Sequence, residues 1–280
     1  QIERKRYSYE KNYLSGIETV KKLVDEFDKL SNQICTVGVG IPGFSSKETG
    51  LVTNANSMWL NDKPFKKDLE ITLNRKVKLM NDANCFTLSE AVDGAGKDYQ
   101  SIFGIIIGTG FGGALSFNKE IIEGANQIAG DWGHQPLPYP TKEEIETKIN
   151  CPSMNCGRPL CAEQFMSGIG FKDVFNQKHK TNFSSEEIVQ LDLDGDPRAN
   201  LELSLYEDRM ARLMAVMIGI FDPDAIILGG GMSNIDRLYK NIPSLIPKYT
   251  FSNKVITKVS KNFHGDSSGV RGAAWLWNNV

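Results

Sequence analysis

Two polar side chains stand side by side where a predicted strand ends, at Asn81 and Asp82. KVKLMND (76–82) has the pattern of a strand, and residues 83–94 have the pattern of a helix. A carboxylate at such a strand end can accept the proton of a substrate hydroxyl in phosphoryl transfer, which asks little covalent chemistry of the protein. The same residue types also cap helices. A general base and an N-cap therefore stand as alternatives, and one residue can serve as both.

Two glycine-rich turns follow buried, strand-like segments of the chain. One joins the two predicted strands of SIFGIIIGTGFGGALSF (101–117), and the other ends the strand of DAIILGGGMS (224–233). Glycine lets backbone N–H groups come close to a phosphate or a flat base, and a threonine hydroxyl can donate to phosphate. An ordinary hairpin turn and an ordinary strand-to-helix turn remain the alternatives. The residues concerned are Gly108, Thr109, Gly110, Gly229, Gly230 and Gly231.

A histidine and three cysteines form a candidate metal site. His134, Cys151, Cys156 and Cys161 lie within 28 residues of one another, and the chain has five Cys in all. Three thiolates and one imidazole are a ligand set of structural tetrahedral Zn²⁺ sites, although the spacing here is wider than in a usual knuckle. Buried free thiols are the alternative, and the odd number of cysteines argues against a disulfide framework.

Acceptor-rich residues suited to sugar hydroxyls surround the same segment. Asp131 and His134 belong to GDWGH, and Glu163 follows the last cysteine. Carboxylates and imidazole can hydrogen-bond vicinal hydroxyls, with an aromatic ring nearby for apolar contact. Polar residues of a surface loop are the alternative.

The elements that must position these residues alternate between helix and strand, so the fold class is α/β. Ligands collect at the carboxyl ends of the strands in such sheets. Residues 201–221 form a predicted helix, and KVITKVS (254–260) a predicted strand. The buried side of this helix is expected to carry Leu205, Leu213, Val216, Met217 and Ile220. A lobe boundary is expected near 115–125, which gives lobes 1–118 and 119–280, with a final helix at 269–277 packing back toward the first lobe.

Composition narrows the function further. Lys+Arg 32 against Asp+Glu 34 gives a net charge of −2, so no basic surplus indicates nucleic acid or an anionic membrane. No apolar run reaches the ~20 residues that span a bilayer. The opening QIERKRYSYEK has basic residues but no apolar stretch after it, so we do not expect it to act as a signal peptide. The expected location is therefore the cytoplasm.

Taken in order, the motifs resemble the ROK family of sugar kinases and related repressors, and within it the bacterial manno(fructo)kinase type. The resemblance runs from about residue 1 to 277. The segments that carry it are VGIPG, NANSMWLNDKPF, NDANCFTLSEAVDGAG, IIIGTGFGG, AGDWGHQPLP, CGRPLCAEQFMSG, DPDAIILGGGMSN and HGDSSGVRGAAWLW.

The resemblance implies an actin-like ATPase (ribonuclease H-like) fold with two lobes and a cleft between them. It implies ATP-dependent phosphorylation of a free hexose, with fructose giving fructose 6-phosphate as the first expectation and Asp82 as the base. Sugar contacts are implied for Asn56, Asn81, Asp131, His134 and Glu163. The two glycine turns would hold ATP, with Mg²⁺ as its partner and Zn²⁺ on His134 and the cysteines. Homodimers are common in the family.

Three departures from the family pattern bear on these expectations. The opening strand pair with its Asp-x-Gly-Gly-Thr phosphate loop is missing before Gln1, which we interpret as an incomplete record. Met154 and Leu160 stand at a Cys and a Gly of the Cys-x-Cys-Gly-x-x-Gly-Cys knuckle, and Cys151 is the candidate replacement ligand. Asp131 is one methylene shorter than the family's Glu.

Two other functions stay open. The first is an inactive sugar-binding remnant in which the phosphate loop is truly lost. The second is a sugar-responsive repressor, although residues 1–16 are too short for a helix-turn-helix.

Overall fold

The structure, a computed structural model, describes residues 3–147, 149–152 and 156–277. Its contacts divide the chain into two compact units. The first comprises Gln1–Cys85 and Gly269–Val280, and the second comprises Phe86–Ser268.

The first unit is built from two small sheets and the helices beside them. Parallel pairing joins β1 to β4, from Val37 opposite Val77 to Ile41 opposite Asn81. Antiparallel pairing joins β2 to β3. The elements are α1 (Tyr13–Ser31), β1 (Val37–Ile41), β2 (Phe44–Ser45), β3 (Val52–Thr53), α2 (Phe65–Leu73), β4 (Val77–Asn81) and the first turn of α3 (Asp82–Val92).

Local sequence explains where α1 begins and ends. The Asn12 side chain accepts a hydrogen bond from the backbone N–H of Ser15 at its start. Asn32, at φ +54°, ends it in the left-handed conformation that asparagine tolerates. Of the apolar face that the spacing predicts over 17–30, Ile17 is buried, whereas Leu30 at the last turn is exposed.

The second unit contains a five-stranded sheet in the order β7-β6-β5-β8-β9. Strand β5 pairs antiparallel with β6 and parallel with β8, and β8 pairs parallel with β9. The predicted hairpin over 101–117 is thereby confirmed. The strands are β5 (Ser101–Ile107), β6 (Phe111–Phe117), β7 (Glu120–Ile121), β8 (Ala225–Gly229) and β9 (Lys258–Lys261).

Alternate residues of β5 face the two sides of this sheet, as the period of two along a strand requires. Phe103, Ile105 and Ile107 belong to the large core cluster with the helices of this unit, while Ile102 packs with Phe86 of α3. The helices are α4 (Lys142–Glu146), α5 (Ala162–Met166), α6 (Gly168–His179), α7 (Ser185–Leu193), α8 (Pro197–Phe221) and α9 (Arg237–Leu245).

The long helix α8 confirms the predicted helix at 201–221, and its buried side matches the expected one in part. Leu213 and Met217 are buried as expected, and Met210 and Met214 are buried with them. Val216 and Ile220 are exposed, because the core-facing stripe follows the methionine positions at spacings of three and four rather than the neighbouring ones.

The predicted strand at 254–260 was placed too early. Strand β9 covers only Lys258–Lys261, since its partner β8 begins at Ala225, opposite Lys258. Residues before Lys258 have no strand to pair with in this sheet.

The last helix, α10 (Ser268–Trp275), lies with the first unit from Gly269 onward. A Cβ at Gly38 would stand 1.8 Å from the Ala273 carbonyl oxygen, and one at Gly272 would stand 1.6 Å from that of Cys85. Only glycine permits such close packing against β1 and the start of α3.

The observed units do not coincide with the expected lobes 1–118 and 119–280, because β5 and β6 share a sheet with β8 and β9. Those lobe limits remain a proposal about functional halves. Among the described residues, no helix is both long and apolar enough to cross a membrane.

Candidate active site and metal centre

Asn81 ends β4 and its side chain caps α3. Its Oδ1 accepts hydrogen bonds from the backbone N–H groups of Ala83 (2.9 Å) and Asn84 (3.3 Å). Its Nδ2 donates to the Gly43 carbonyl oxygen at 3.0 Å. The capping alternative is therefore confirmed for Asn81, and its contact with a sugar stays a prediction.

Asp82, the first residue of α3, is left with an available carboxylate oxygen. Its Oδ1 accepts from the backbone N–H of Ala83 at 2.9 Å, while Oδ2 has no hydrogen bond within the described residues. The side chain is exposed to solvent, yet the protein packed around it raises the pKa of its carboxyl. A raised pKa suits a general base, whereas a buried ion pair would lower the pKa of the carboxyl.

Cys85 lies one turn further along α3, in the same unit. Burial raises the pKa of its thiol to about 12, and the negative charge of Asp82 adds to the rise. A neutral thiol leaves Asp82 as the ionisable group at this end of the helix.

The loop that carries Asn56 is held by Asn61, a residue that the sequence analysis missed. Asn61 accepts from the Ala55 N–H at 2.9 Å and donates to the Ala55 carbonyl oxygen at 3.0 Å. Asn56 itself is exposed. The asparagine-rich NANSMWLND was the available signal, because asparagine commonly hydrogen-bonds nearby backbone in loops.

Gly43 joins this loop to the end of β4. It adopts φ +71°, and a Cβ there would stand 2.7 Å from the Ala55 nitrogen. Since its carbonyl oxygen also binds the Asn81 side chain, the structure brings the Asn56 loop and the Asn81–Asp82 pair together within the first unit.

The two glycine turns lie at one edge of the large sheet in the second unit. Ile106 of β5 pairs with Gly229 of the parallel strand β8, so both strands deliver their following turns to the same carboxyl end. A Cβ at Gly230, where φ is +83°, would stand 2.4 Å from the Ile107 carbonyl oxygen. The turns are therefore neighbours.

These turns leave space above the backbone. A Cβ at Gly108 or Gly231 would meet no atom within 4 Å, and Thr109 is exposed. The turn at 108–110 is also the tight connection of a hairpin, with the Gly108 N–H donating to the Gly110 carbonyl oxygen at 3.0 Å. The hairpin-turn alternative is therefore confirmed, and phosphate contact remains a prediction.

Glu163 is buried and binds the backbone directly after the first turn. Its Oε2 accepts from the Phe111 N–H at 3.0 Å, and its Oε1 lies 3.5 Å from the Cys151 sulfur. The sequence predicted a sugar contact for Glu163 and missed these structural ones. A carboxylate has further acceptor sites, so the roles are compatible.

The segment 131–134 packs against the same hairpin. Trp132 is buried against Phe103 and Phe111, with ring centroids 4.8 Å and 5.0 Å apart. A Cβ at Gly133 would stand 1.8 Å from the Phe111 carbonyl oxygen. Asp131 is exposed, so this packing fixes the segment while leaving Asp131 accessible.

The structure gathers the four predicted metal ligands into one cluster. All four ligand atoms of His134, Cys151, Cys156 and Cys161 lie within 4.8 Å of one another. The Cys161 sulfur is 3.5 Å from the Cys156 sulfur and 3.5 Å from His134 Nδ1, and the Cys151 sulfur is 4.0 Å from His134 Nδ1. Ligands on a tetrahedral Zn²⁺ with bonds of about 2.0–2.3 Å stand about 3.5 Å apart, so the set fits the ion.

Cys151 thus reaches the cluster although it precedes the family's ligand position. Met154, which occupies that position, lies outside the described residues. Leu160 adopts φ +54°, the left-handed conformation in which the family's glycine is favoured and a leucine costs about 1–2 kcal/mol. Burial raises the pKa of the Cys161 thiol to about 11, which a bound cation would reverse.

In outline, the second unit assembles both glycine turns, segment 131–134, Glu163 and the metal cluster. The first unit assembles the other candidates, Asn56, Asn81 and Asp82.

Fold and residues together define the class of an actin-like, ribonuclease H-like sugar kinase. The structure is similar to that of a ROK hexokinase from Thermus thermophilus, with a TM-score of 0.80 and 22% identity over 92% of this chain and 84% of that one. It is also similar to a ROK family glucokinase from Streptomyces griseus solved with glucose and AMPPNP, with a TM-score of 0.78 and 21% identity over 96% and 89% of the chains. These likenesses establish the fold.

The model of the ROK family matches residues 1–280, and the chain belongs to that family. An N-acetyl-D-glucosamine kinase of Vibrio cholerae is 36% identical over 265 residues, covering 95% of this chain and 88% of the relative. Another from Pasteurella multocida is 36% identical over 279 residues, covering 99% and 90%. The family expectation is therefore confirmed, whereas the fructokinase subtype is not.

Proposed function

We propose that this protein transfers the γ-phosphoryl group of ATP to a hydroxyl of a hexose, and that the hexose is N-acetyl-D-glucosamine. The observation that carries the choice of sugar is the 36% identity to N-acetyl-D-glucosamine kinases over 95% of the chain. Fructose is the second candidate, favoured by the resemblance of NANSMWLND and GDWGHQPLP to manno(fructo)kinases.

Asp82 is the proposed general base. Its free Oδ2 accepts the proton as the sugar oxygen attacks the γ-phosphorus and ADP leaves, which requires a hydroxyl within about 2.6–3.2 Å. Its exposure and its raised pKa support this role.

The nucleotide is proposed to bind at the two glycine turns, residues 108–110 and 229–231. Their shared sheet edge and the open space above Gly108 and Gly231 support this assignment. MgATP is the expected donor, because Mg²⁺ neutralises charge on the phosphates.

The sugar is proposed to contact Asn56, Asn81, Asp131, His134 and Glu163. Asn81 and Glu163 also hold backbone groups, so their positions are fixed before any ligand binds. Such preorganisation lowers the entropic cost of binding.

His134, Cys151, Cys156 and Cys161 are the proposed holders of a structural Zn²⁺. A bound ion would cross-link the loop that leads to Glu163 and so fix its start. Dimer formation stays a prediction from the family.

An ADP-coupled assay on the full-length protein tests the function, with N-acetyl-D-glucosamine, fructose, mannose and glucose compared at equal concentration. We expect the highest kcat/KM with N-acetyl-D-glucosamine. Higher kcat/KM with fructose would favour the manno(fructo)kinase interpretation. Sugar binding by calorimetry without any turnover would favour the inactive remnant.

A further inference from the structure

A chain of three side-chain hydrogen bonds ends on the second glycine turn. Ser233 Oγ donates to the Gly230 carbonyl oxygen at 2.6 Å. Asn262 Nδ2 donates to Ser233 Oγ at 3.3 Å and to the Leu228 carbonyl oxygen at 3.0 Å. Asn262 therefore holds the residue before the turn and, through Ser233, the middle of the turn.

Gly230 needs such support because its backbone conformation is unusual. Its φ of +83° and ψ of 175° lie in a region that is essentially restricted to glycine. Glycine has the widest conformational freedom of any residue in the unfolded chain and in loops. The carbonyl of Gly230 is fixed by two donors on one residue, the Ser233 hydroxyl and the Ser233 backbone N–H at 3.1 Å.

The Ser233 side chain acts through the backbone and not on a ligand. The residue is 1% exposed, and its own carbonyl oxygen accepts from the Tyr239 hydroxyl at 2.6 Å. Buried in this way, its hydroxyl cannot reach a bound nucleotide directly.

The side-chain amide of Asn262 also points its Nδ2 toward the turn. Its Nδ2 makes both bonds toward the turn, while its Oδ1 is buried without a hydrogen-bond partner among the described residues. A buried unsatisfied acceptor is unfavourable in isolation. The two contacts made by Nδ2 hold Leu228 and Ser233.

We infer that Ser233 and Asn262 are positioning residues for the nucleotide: they hold the backbone of the 229–231 turn in its binding conformation. The inference rests on the proposed function, in which this turn contacts ATP. Without the Ser233 hydroxyl, the turn samples other conformations, and ATP must select the competent one.

Ser233→Ala tests the inference by steady-state kinetics and by calorimetric binding of a non-hydrolysable ATP analogue. We expect the KM for ATP and the Kd for the analogue to rise about 3–10-fold, as for one lost hydrogen bond. The KM for the sugar stays within about twofold of wild type. Ser233→Thr keeps the hydroxyl and is expected to restore ATP affinity.

Ser244→Ala is the matched control. Ser244 Oγ also donates to the carbonyl oxygen three residues earlier, that of Asn241 at 2.7 Å, but on the exposed surface of α9. Ser244→Ala should leave the KM for ATP and the KM for the sugar unchanged. If circular dichroism shows that Ser233→Ala does not fold, Asn262→Ala replaces it. The same result is expected, a raised KM for ATP and a nearly unchanged KM for the sugar.

Unchanged ATP affinity in a folded variant, or equal weakening of ATP and sugar, would overturn the positioning role. Failure of the proposed function has a different signature, since the wild-type protein itself would then bind no ATP analogue.

Discussion

Asp82 is the residue on which the proposed chemistry depends. Asp82→Asn keeps the shape and the helix start but removes the base, so we expect kcat to fall by about 10²–10⁴-fold. An ADP-coupled assay measures the loss. Asp98→Asn, an exposed aspartate of the second unit, is the matched control and should retain wild-type turnover.

The pH dependence of kcat/KM in the wild-type protein gives a second test of Asp82 as the base. Because the folded pKa is raised above the usual value, the base is lost as pH falls through that folded pKa, and the acid limb of kcat/KM lies at a higher pH than an unshifted aspartate would give. The folded protein also binds this proton more tightly than the unfolded chain does, so the group favours folding at acid pH and loses that contribution as pH rises. Wild-type turnover in Asp82→Asn would refute the assignment.

Cys151 is the candidate ligand that would keep a four-ligand metal site despite the altered knuckle. Cys151→Ser removes the candidate fourth ligand, so we expect zinc to fall from about one equivalent per chain to below half. Elemental analysis of purified, unchelated protein measures the change. Cys35→Ser alters a free cysteine in the first unit and should leave zinc content unchanged. Equal zinc in both variants would exclude Cys151 as a ligand.

Residue types were enough to single out candidate residues but not their contacts. Asn81, Asp82 and the four candidate metal ligands were chosen from their types and positions, and the structure gathers the four candidate ligands. The bond from Phe111 to Glu163 spans 52 residues and has no local signature, because it depends on how the hairpin meets α5.

At the scale of elements, the turn at Gly230 places the strictest demand on the chain. Gly230→Ala would require a side chain at φ +83° and only 2.4 Å from the Ile107 carbonyl oxygen. We expect a loss of about 1–3 kcal/mol in the free energy of unfolding, measured by urea denaturation.

Gly219→Ala is the informative control for that variant. Gly219 lies in α8, is exposed, and has no atom within 4 Å of a Cβ. Alanine there should stabilise the helix by up to about 1 kcal/mol. If Gly230→Ala lowers the free energy of unfolding and Gly219→Ala raises it, backbone strain is separated from helix propensity. Equal effects of the two substitutions on the free energy of unfolding would contradict the strained turn.

Element boundaries depended on partners that the sequence did not reveal. The strand predicted at 254–260 begins only at Lys258 because β8 offers no earlier partner. No helix was predicted at α4, although Thr141 and Glu144 form a capping box that the local sequence does encode.

At the scale of the whole chain, sequence order did not reveal which distant strands share a sheet. The hairpin β5–β6 was assigned to the first lobe because the lobe boundary was expected near 115–125, where the hairpin ends. It instead pairs with β8, more than 100 residues later. The final helix at 269–277 was foreseen, and its close backbone contacts explain why Gly272 of this helix and Gly38 of β1 are glycines.

Stability of the whole chain against acid should depend on one buried carboxylate. Glu144 binds Arg209 at 2.8 Å and Arg212 at 2.7 Å, and all three side chains are almost fully buried. Burial alone would raise the pKa of Glu144, but hydrogen bonds from Arg212, the Thr141 N–H and Arg209 outweigh it and lower the pKa to about 2.

The sign of the pH effect follows from that lowered pKa. Since the unfolded carboxyl titrates near 4.5, the contribution of Glu144 is complete above that value and disappears as pH falls toward 2. Glu144→Gln leaves two buried arginines short of a partner, so we expect a loss of about 3–5 kcal/mol at pH 7. The loss should shrink as the wild type is taken from pH 5 to pH 3.

Urea denaturation of both proteins at pH 7, 5 and 3 measures this convergence. Glu146→Gln is the control on the same helix, because its pair with Lys142 at 3.9 Å is exposed and such pairs contribute about 0–1 kcal/mol. A constant difference between wild type and Glu144→Gln from pH 7 to pH 3 would mean that ionisation of Glu144 does not govern acid stability.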